Sequence, residues 1–158
     1  MRRRLPDLAI LALLLLLPLI AFWQQTAGGR TLLPTENLYQ YEPYATYRAV
    51  VGAPQIPHNH LLSDLVLQNM QFRSFARDQL AQGEFPLWNP HNFSGVAFFA
   101  AGQHAVLYPF SALFYLLDLP AAYGWYTVLQ LWLAGAVLYS FLRGLGVNRF
   151  GGAGAGLT

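Results

Sequence analysis

The chain has 158 residues, of which 55% are hydrophobic and only 10% are charged, and its formal net charge is +2. A soluble domain carries about 25% charged residues, so this composition and the mean hydropathy of +0.33 predict an integral membrane protein. The sequence contains no cysteine, which excludes disulfide bonds and thiol chemistry, and its small net charge gives no indication of nucleic-acid binding.

The first predicted element is a transmembrane helix over residues 8–23, whose core, Leu13–Leu17, is entirely leucine. It is slightly shorter than the roughly 20 residues that cross a bilayer, although the interfacial Trp23 can extend it. The arginines of Arg2–Arg4 precede it, and positive charges in this position predict that residues 1–7 are cytoplasmic. A cleaved signal peptide has the same order of charge and hydropathy, but no small-residue cleavage motif follows, which favours a membrane anchor.

Residues 24–104 contain no apolar run of membrane-spanning length and are predicted to form a large extracytoplasmic loop. Its first half is rich in tyrosine and proline and is predicted to be irregular. In its second half, residues 63–82 have the pattern of an amphipathic helix, with Ser63 as the N-cap and Gly83 as the left-handed residue that ends it.

Two arginines of this predicted helix, Arg73 and Arg77, lie within or beside its apolar face. A helix lying on the membrane surface would direct such arginines toward lipid phosphates. A helix packed on protein would have the same apolar face. The sequence leaves both alternatives open for residues 63–82.

The run Gly83–Pro90 reads G-E-F-P-L-W-N-P and follows this helix directly. Each proline holds its own φ and biases the preceding residue toward extended backbone. The spacing of Pro86 and Pro90 therefore predicts a stiff loop that holds Trp88 in a defined direction.

Two apolar segments follow the loop. Residues 105–117 are too short for a crossing and contain Pro109, so they are predicted to be interfacial or re-entrant. Residues 121–142 are long enough to be the second transmembrane helix, and the arginines of the following turn, 143–149, predict that this end is cytoplasmic. The small residues of 150–158 resemble the start of a further membrane helix, so we expect the chain to be an amino-terminal fragment of a longer multi-pass protein.

The sequence offers one weak pattern for a metal. His58, His60 and Asp64 form an H-x-H-x3-D arrangement that could contribute ligands to a divalent cation. Histidines just before a helix are more often solvent-facing, so we predict no resident metal or cofactor. Asp64 and Asp78 share the polar face of the predicted helix, but at about 21 Å apart they cannot form a direct acid–base pair.

Several spaced motifs carry a resemblance to a known family: Asp64-x3-Gln68, the Gly83–Pro90 run, Ser94-Gly95, Gln103 and Tyr108-Pro109. They resemble the amino-terminal region of bacterial YfhO-like membrane proteins, which look like members of the GT-C class of multi-pass glycosyltransferases. The resemblance implies an all-α, GT-C-like helical bundle in the bacterial cytoplasmic membrane, with a large outer loop.

The resemblance also implies a reaction and a set of site residues. Such enzymes move a sugar from a polyprenyl-phosphate carrier to a cell-envelope glycan, and a carboxylate in the first outer loop typically serves as the base. The matching position is Asp64. The implied substrate-binding residues are Arg73, Arg77, Glu84, Trp88 and Asn89. The arginines would hold the lipid phosphate and Trp88 would stack on a sugar, although Trp88 could instead pack the loop.

Two other classes remain as alternatives. A transporter or flippase subunit would carry ionisable residues inside its membrane helices, and residues 8–23 and 121–142 contain none. A non-catalytic protein for envelope assembly or binding would keep the aromatic loop without needing a carboxylate. In every case, the expected partners include membrane lipids and exclude nucleic acid. The fragment by itself is expected to be inactive.

Overall fold

The computed structural model describes residues 5–157, so the predicted cytoplasmic arginines Arg2–Arg4 and the terminal Thr158 lie outside the described residues. The described chain is mostly helical. Its α-helices are α1 (Leu5–Ala21), α2 (Trp23–Thr26), α3 (Arg48–Val51), α4 (Met70–Ala81), α5 (Phe98–Ala101), α6 (Ala112–Leu116), α7 (Leu119–Gly144) and α8 (Arg149–Ala155). Short 3-10 helices cover Thr35–Gln40, Tyr44–Tyr47, His60–Leu62 and Pro109–Ser111, and Leu65–Asn69 is a π-helix.

The chain divides into two compact units. We call the described residues 5–31 and 123–157 the terminal unit, and Leu32–Ala122 the middle unit.

Helix α7 covers the predicted second span and is, within the described part of the chain, the one helix long and apolar enough to cross a membrane by length and composition. Arg143 lies in its last turn, where a cation interacts favourably with the helix dipole. Helix α1 differs from the predicted span of residues 8–23. It ends at Ala21 because Phe22 leaves helical geometry, with φ −110° and ψ 26°. Its 17 residues correspond to about 26 Å, less than the hydrocarbon thickness of about 30 Å.

Small residues allow close contacts within the terminal unit. A Cβ at Gly124 would lie 2.3 Å from the backbone oxygen of Gln25, so only glycine fits there. The indole Nε1 of Trp132 donates a hydrogen bond of 3.0 Å to the carbonyl oxygen of Leu11, which links α7 to α1. Small residues at such interfaces let helix backbones approach one another.

Asp7 holds together three helices of the terminal unit. Its carboxylate accepts hydrogen bonds from the Tyr139 hydroxyl at 2.5 Å and from Arg149 Nε at 3.0 Å, and Arg143 Nε lies 3.4 Å away. The hydrogen bond from Arg149, followed by that from Tyr139, lowers the pKa of Asp7 to about 2, so its carboxyl stays ionised at neutral pH. The sequence assigned the two arginines to a cytoplasmic turn without indicating that Asp7 binds them.

In the middle unit, helical backbone runs from His60 to Ala81, so the helix predicted over residues 63–82 begins earlier than expected. Its cap is Asn59, whose side chain accepts a hydrogen bond from the Leu61 amide. The prediction of Ser63 as the N-cap was wrong. Ser63 is buried, donates to the His60 carbonyl at 2.5 Å and accepts from Asn37 Nδ2 at 3.1 Å.

The end of this helix agrees with the prediction for Gly83, which is left-handed with φ +79°. The Gly83 amide donates to the Leu80 carbonyl at 3.0 Å, and the Glu84 amide donates to the Gln79 carbonyl at 2.9 Å. This pair of bonds is a Schellman motif, which satisfies carbonyls that the last helical turn leaves free.

Part of the apolar face of the helix is covered by protein. Val66 and Ala76 are buried, and Ala76 belongs to a core with Phe98 and Val106. Partly buried side chains surround this core: Phe72, Phe75, Leu80 and Tyr115. Of the two alternatives that the sequence left open, the burial of Val66 and Ala76 agrees with a helix packed on protein. A helical wheel identifies an apolar face but not the material that covers it.

The Gly83–Pro90 run enters a small β-hairpin, a departure from the predicted all-α fold. Strand β1 (Trp88–Asn89) pairs antiparallel with β2 (Val96–Ala97), with Trp88 opposite Ala97. The connecting turn includes Phe93, Ser94 and Gly95, all with positive φ. Residues 105–117, predicted to be one apolar segment, contain irregular backbone, a 3-10 turn and the short helix α6.

Candidate functional site

A polar pocket of about 290 Å³ opens beside the first half of the long helix in the middle unit. Its polar lining consists of Asp64, Gln68, Asn69 and Gln103, and Leu65 and Phe72 supply its apolar surface. Carboxylate and amide groups offer several acceptors and donors within one small volume. This arrangement suits a ligand with many hydroxyl groups. Asp64, Gln68 and Gln103 are also three of the spaced residues on which the family resemblance rests.

The π-helix Leu65–Asn69 forms one side of this pocket. A π-helix has i→i+5 hydrogen bonds and is frequently found at functional sites. Asp64 directly precedes this turn and is exposed, while Val66 within it is buried. The π-helix could not be predicted from the sequence, because a helical wheel assumes the regular α-helical period.

Gln103 lines the pocket, and the position of its backbone is fixed by the contacts of the next residue, His104. The His104 side chain is 1% exposed, and its ring stacks on Phe98 with centroids 3.8 Å apart. His104 Nε2 is hydrogen-bonded to the Phe98 carbonyl, and Nδ1 has no hydrogen-bond partner among residues 5–157. Sequence reasoning missed this histidine, since a single histidine in an apolar stretch carries no motif.

The two arginines predicted to bind phosphate, Arg73 and Arg77, differ in how far they are exposed. Arg73 is 4% exposed, and its Nη1 donates to Ser111 Oγ at 2.8 Å, which in turn donates to the Ala105 carbonyl at 2.7 Å. The Arg73 guanidinium also lies 4.3 Å from the centre of the Phe114 ring. Arg73 therefore links α4 to α6, and the prediction that it is directed toward lipid phosphates was wrong.

Arg77 is the arginine that remains accessible. Its side chain is 34% exposed, and its Nε lies 3.7 Å from the carboxylate of the neighbouring Asp78. An exposed pair of this kind contributes little to stability. Arg77 is thus available to a ligand in a way that Arg73 is not.

The three predicted loop residues occupy different environments. Glu84 is exposed beyond the helix end, and Trp88 is 56% exposed on β1. Asn89 is buried, and its Oδ1 accepts a hydrogen bond of 2.9 Å from the His91 amide, which fixes the start of the turn. None of the three lines the pocket that contains Asp64. Asn89 is therefore a structural residue of the hairpin.

The indole of Trp88 lies directly over Gly95. A Cβ at Gly95 would lie 2.5 Å from Trp88 Cζ2, and Gly95 has a φ of +117°. Both observations require glycine at this position. They explain how a stiff loop holds Trp88 in place, as the prolines led us to predict.

We expect Gly95→Ala to destabilise the hairpin by about 2 kcal/mol, because it combines backbone strain with displacement of the Trp88 ring. Gly102→Ala is the matched control. Gly102 has φ +70° with no atom near its Cβ position, so its substitution should cost only about 1 kcal/mol of backbone strain. Hydrogen exchange of the amides of residues 88–97, with Trp88 fluorescence as a second readout, would measure the loss of stability in each of the two variants. Equal effects of the two substitutions would contradict the packing of Trp88 on Gly95.

The structure gives no support to the weak metal pattern. His58, His60 and Asp64 are all exposed, and within residues 5–157 no group of three or more potential ligands lies close enough to hold a metal ion. The His58 amide instead donates a hydrogen bond of 2.6 Å to Glu36 Oε1.

Comparison with known proteins finds no family model, no curated protein and no solved structure that matches this chain. The resemblance to YfhO-like proteins therefore stays a prediction. The fold and the site together define a mostly helical protein with a carboxylate- and amide-lined pocket in its middle unit and, within residues 5–157, one helix long and apolar enough to cross a membrane.

Proposed function

We propose that this chain forms the amino-terminal part of a membrane glycosyltransferase of the GT-C type. The enzyme moves a sugar from a polyprenyl-phosphate carrier to a cell-envelope glycan at the outer face of the bacterial cytoplasmic membrane. The observation that carries the proposal is the meeting of Asp64, Gln68 and Gln103 in one pocket. Gln103 is far from Asp64 and Gln68 in the sequence, and all three belong to the motif set on which the resemblance rests.

The proposed roles follow from the chemistry of the side chains. Asp64 is the general base that accepts the proton of the acceptor hydroxyl as its oxygen attacks the anomeric carbon and the lipid phosphate leaves. Gln68 and Gln103 hold sugar hydroxyls, since an amide both donates and accepts hydrogen bonds. Neither arginine fits the phosphate role predicted for it: Arg73 is buried, and Arg77 is accessible but lies about 20 Å along the helix from Asp64 at 1.5 Å per residue.

The decisive variant is Asp64→Asn in the natural gene product. Transfer of labelled hexose from polyprenyl-phosphate hexoses to envelope glycan should fall by about 100-fold to 10,000-fold, the usual contribution of a general base. Because Asp64 is exposed, the fold should be unchanged, as circular dichroism would show. Glu42→Gln is the control, since Glu42 is another exposed carboxylate, which accepts a hydrogen bond of 3.2 Å from the Thr46 hydroxyl. Unchanged transfer by Asp64→Asn would contradict the catalytic assignment.

The amide lining also suits a second candidate, a non-catalytic protein that binds envelope glycan. This candidate predicts that Asp64→Asn leaves function intact while Gln68→Ala and Gln103→Ala weaken glycan binding. The two candidates therefore differ in their most sensitive residue. The glycosyltransferase depends most on Asp64, and the binding protein depends most on Gln68 and Gln103.

A further inference from the structure

A second pocket of about 290 Å³ lies farther along the same helix. The residues that matter for its chemistry are Phe72, Ser74, Phe75, Asp78, His91 and Asn92. It is formed between the helix and the hairpin turn, so both of its sides belong to the middle unit. Asn89, one of the substrate-binding residues predicted from the sequence, also lines this pocket, and its Oδ1 accepts the hydrogen bond from the His91 amide.

The two pockets meet at one residue. Phe72 lines both of them, so they are neighbours separated by a single aromatic side chain. Asp64 and Asp78, which mark the outer ends, are about 21 Å apart along a helix at 1.5 Å per residue. A ligand that occupied both pockets would therefore be longer than one sugar unit.

The chemistry of the second pocket matches that of the first. Asp78 has a side chain that is 59% exposed and can accept hydrogen bonds, and Ser74 and Asn92 add a hydroxyl and an amide. The His91 ring lies edge-on to Phe75, with centroids 5.9 Å apart. Polar groups around aromatic surfaces fit a ring that has apolar faces and a rim of hydroxyls. Arg77 Nε lies 3.7 Å from the Asp78 carboxylate, so the second pocket carries little net charge, which suits a neutral sugar.

We propose that this second pocket is a sugar subsite, so that the two pockets together take a neutral glycan chain of at least two sugar units rather than a single sugar. The inference rests on the proposed function, because it places the acceptor chain across Phe72 with its reacting end at Asp64. Asn89 and Gly95 preorganise the subsite by holding the hairpin turn in one conformation.

The test measures binding of cellohexaose, maltohexaose and chitohexaose, each beside its monosaccharide, to the protein in phosphatidylcholine nanodiscs. Maltoside detergents are avoided because their headgroups would compete. At least one hexasaccharide should bind about tenfold or more tightly than its monosaccharide, since it contacts both pockets. His91→Ala and Asp78→Asn should remove this advantage and leave monosaccharide affinity unchanged. Phe93→Ala is the control, because Phe93 is 96% exposed in the same turn and lines neither pocket.

Any other outcome would contradict the proposal of a second sugar subsite. Equal affinity for hexasaccharide and monosaccharide, or an advantage that survives His91→Ala and Asp78→Asn, would contradict it. Binding of hexalysine but of no saccharide, lost in Asp78→Asn, would assign the second pocket to a cationic peptide instead. A failure of the subsite can be distinguished from a failure of the proposed function. The proposed function is tested by sugar transfer in Asp64→Asn, a measurement that does not involve His91 or Asp78.

Discussion

Phe98→Ala should destabilise the middle unit by about 4 kcal/mol, within the range for removing a buried phenylalanine. Phe98 is 1% exposed and contacts Phe72 and Phe75 edge-on, with centroids 5.5 and 4.9 Å away, in addition to its stacking on His104. Alanine removes all three ring contacts and leaves a cavity beside Ala76. Hydrogen exchange of the α4 amides in nanodiscs would measure the loss, because it reports the local opening free energy of this unit.

Phe93→Ala again provides the control, since the 96% exposed Phe93 side chain should contribute less than about 0.5 kcal/mol. If Phe98→Ala does not fold, Phe98→Leu retains most of the volume and should cost about 1.5 kcal/mol. A loss in Phe98→Ala no larger than that in Phe93→Ala would contradict the core. The substitution should also affect the pocket, because the His104 ring would lose its stacking partner and Gln103, the next residue, lines the pocket.

Arg73→Ala should lower the free energy of unfolding of the middle unit by about 3 kcal/mol, an unusually large effect for an arginine. The substitution removes the hydrogen bond to Ser111 and the contact with the Phe114 ring, and it leaves a cavity between α4 and α6. Arg77→Ala, one turn away, should cost less than about 1 kcal/mol because its ion pair with Asp78 is exposed. The same hydrogen-exchange measurement on α4 would compare the two variants.

A third variant, Arg73→Met, separates the causes of this loss. Methionine keeps much of the side-chain volume without the charge, and replacing a buried charged group by an apolar one is often close to neutral. We therefore expect Arg73→Met to be clearly milder than Arg73→Ala. If Arg73→Ala were as mild as Arg77→Ala, the result would contradict the burial of Arg73 between α4 and α6.

Features that depend on local chemistry could be predicted from the sequence. The long apolar run of α7 indicates a helix of membrane-spanning length wherever it lies in the chain, and Gly83 ends its helix because a left-handed residue is required there. The prolines around Trp88 indicated a stiff loop. These predictions needed only residues that are neighbours in the sequence.

The candidate site could be predicted only in part. Asp64 and Gln68 are one turn apart and were identified together, but no local pattern brings Gln103 to them. That contact depends on His104, which stacks on Phe98 and so fixes the backbone beside the pocket. The second pocket likewise needs the hairpin turn to lie against the helix. Both are contacts between segments that are distant in the sequence.

The sequence by itself determined that the chain is mostly helical, where its longest apolar helix lies and where the helix before Gly83 ends, because these follow from hydropathy and local backbone preference. Only the tertiary structure decided that Arg73 is buried while Arg77 is exposed, and that Asp64 and Gln103 share one pocket. The physical reason is that burial depends on what packs against a side chain. A helical face has the same sequence pattern whether lipid or protein covers it.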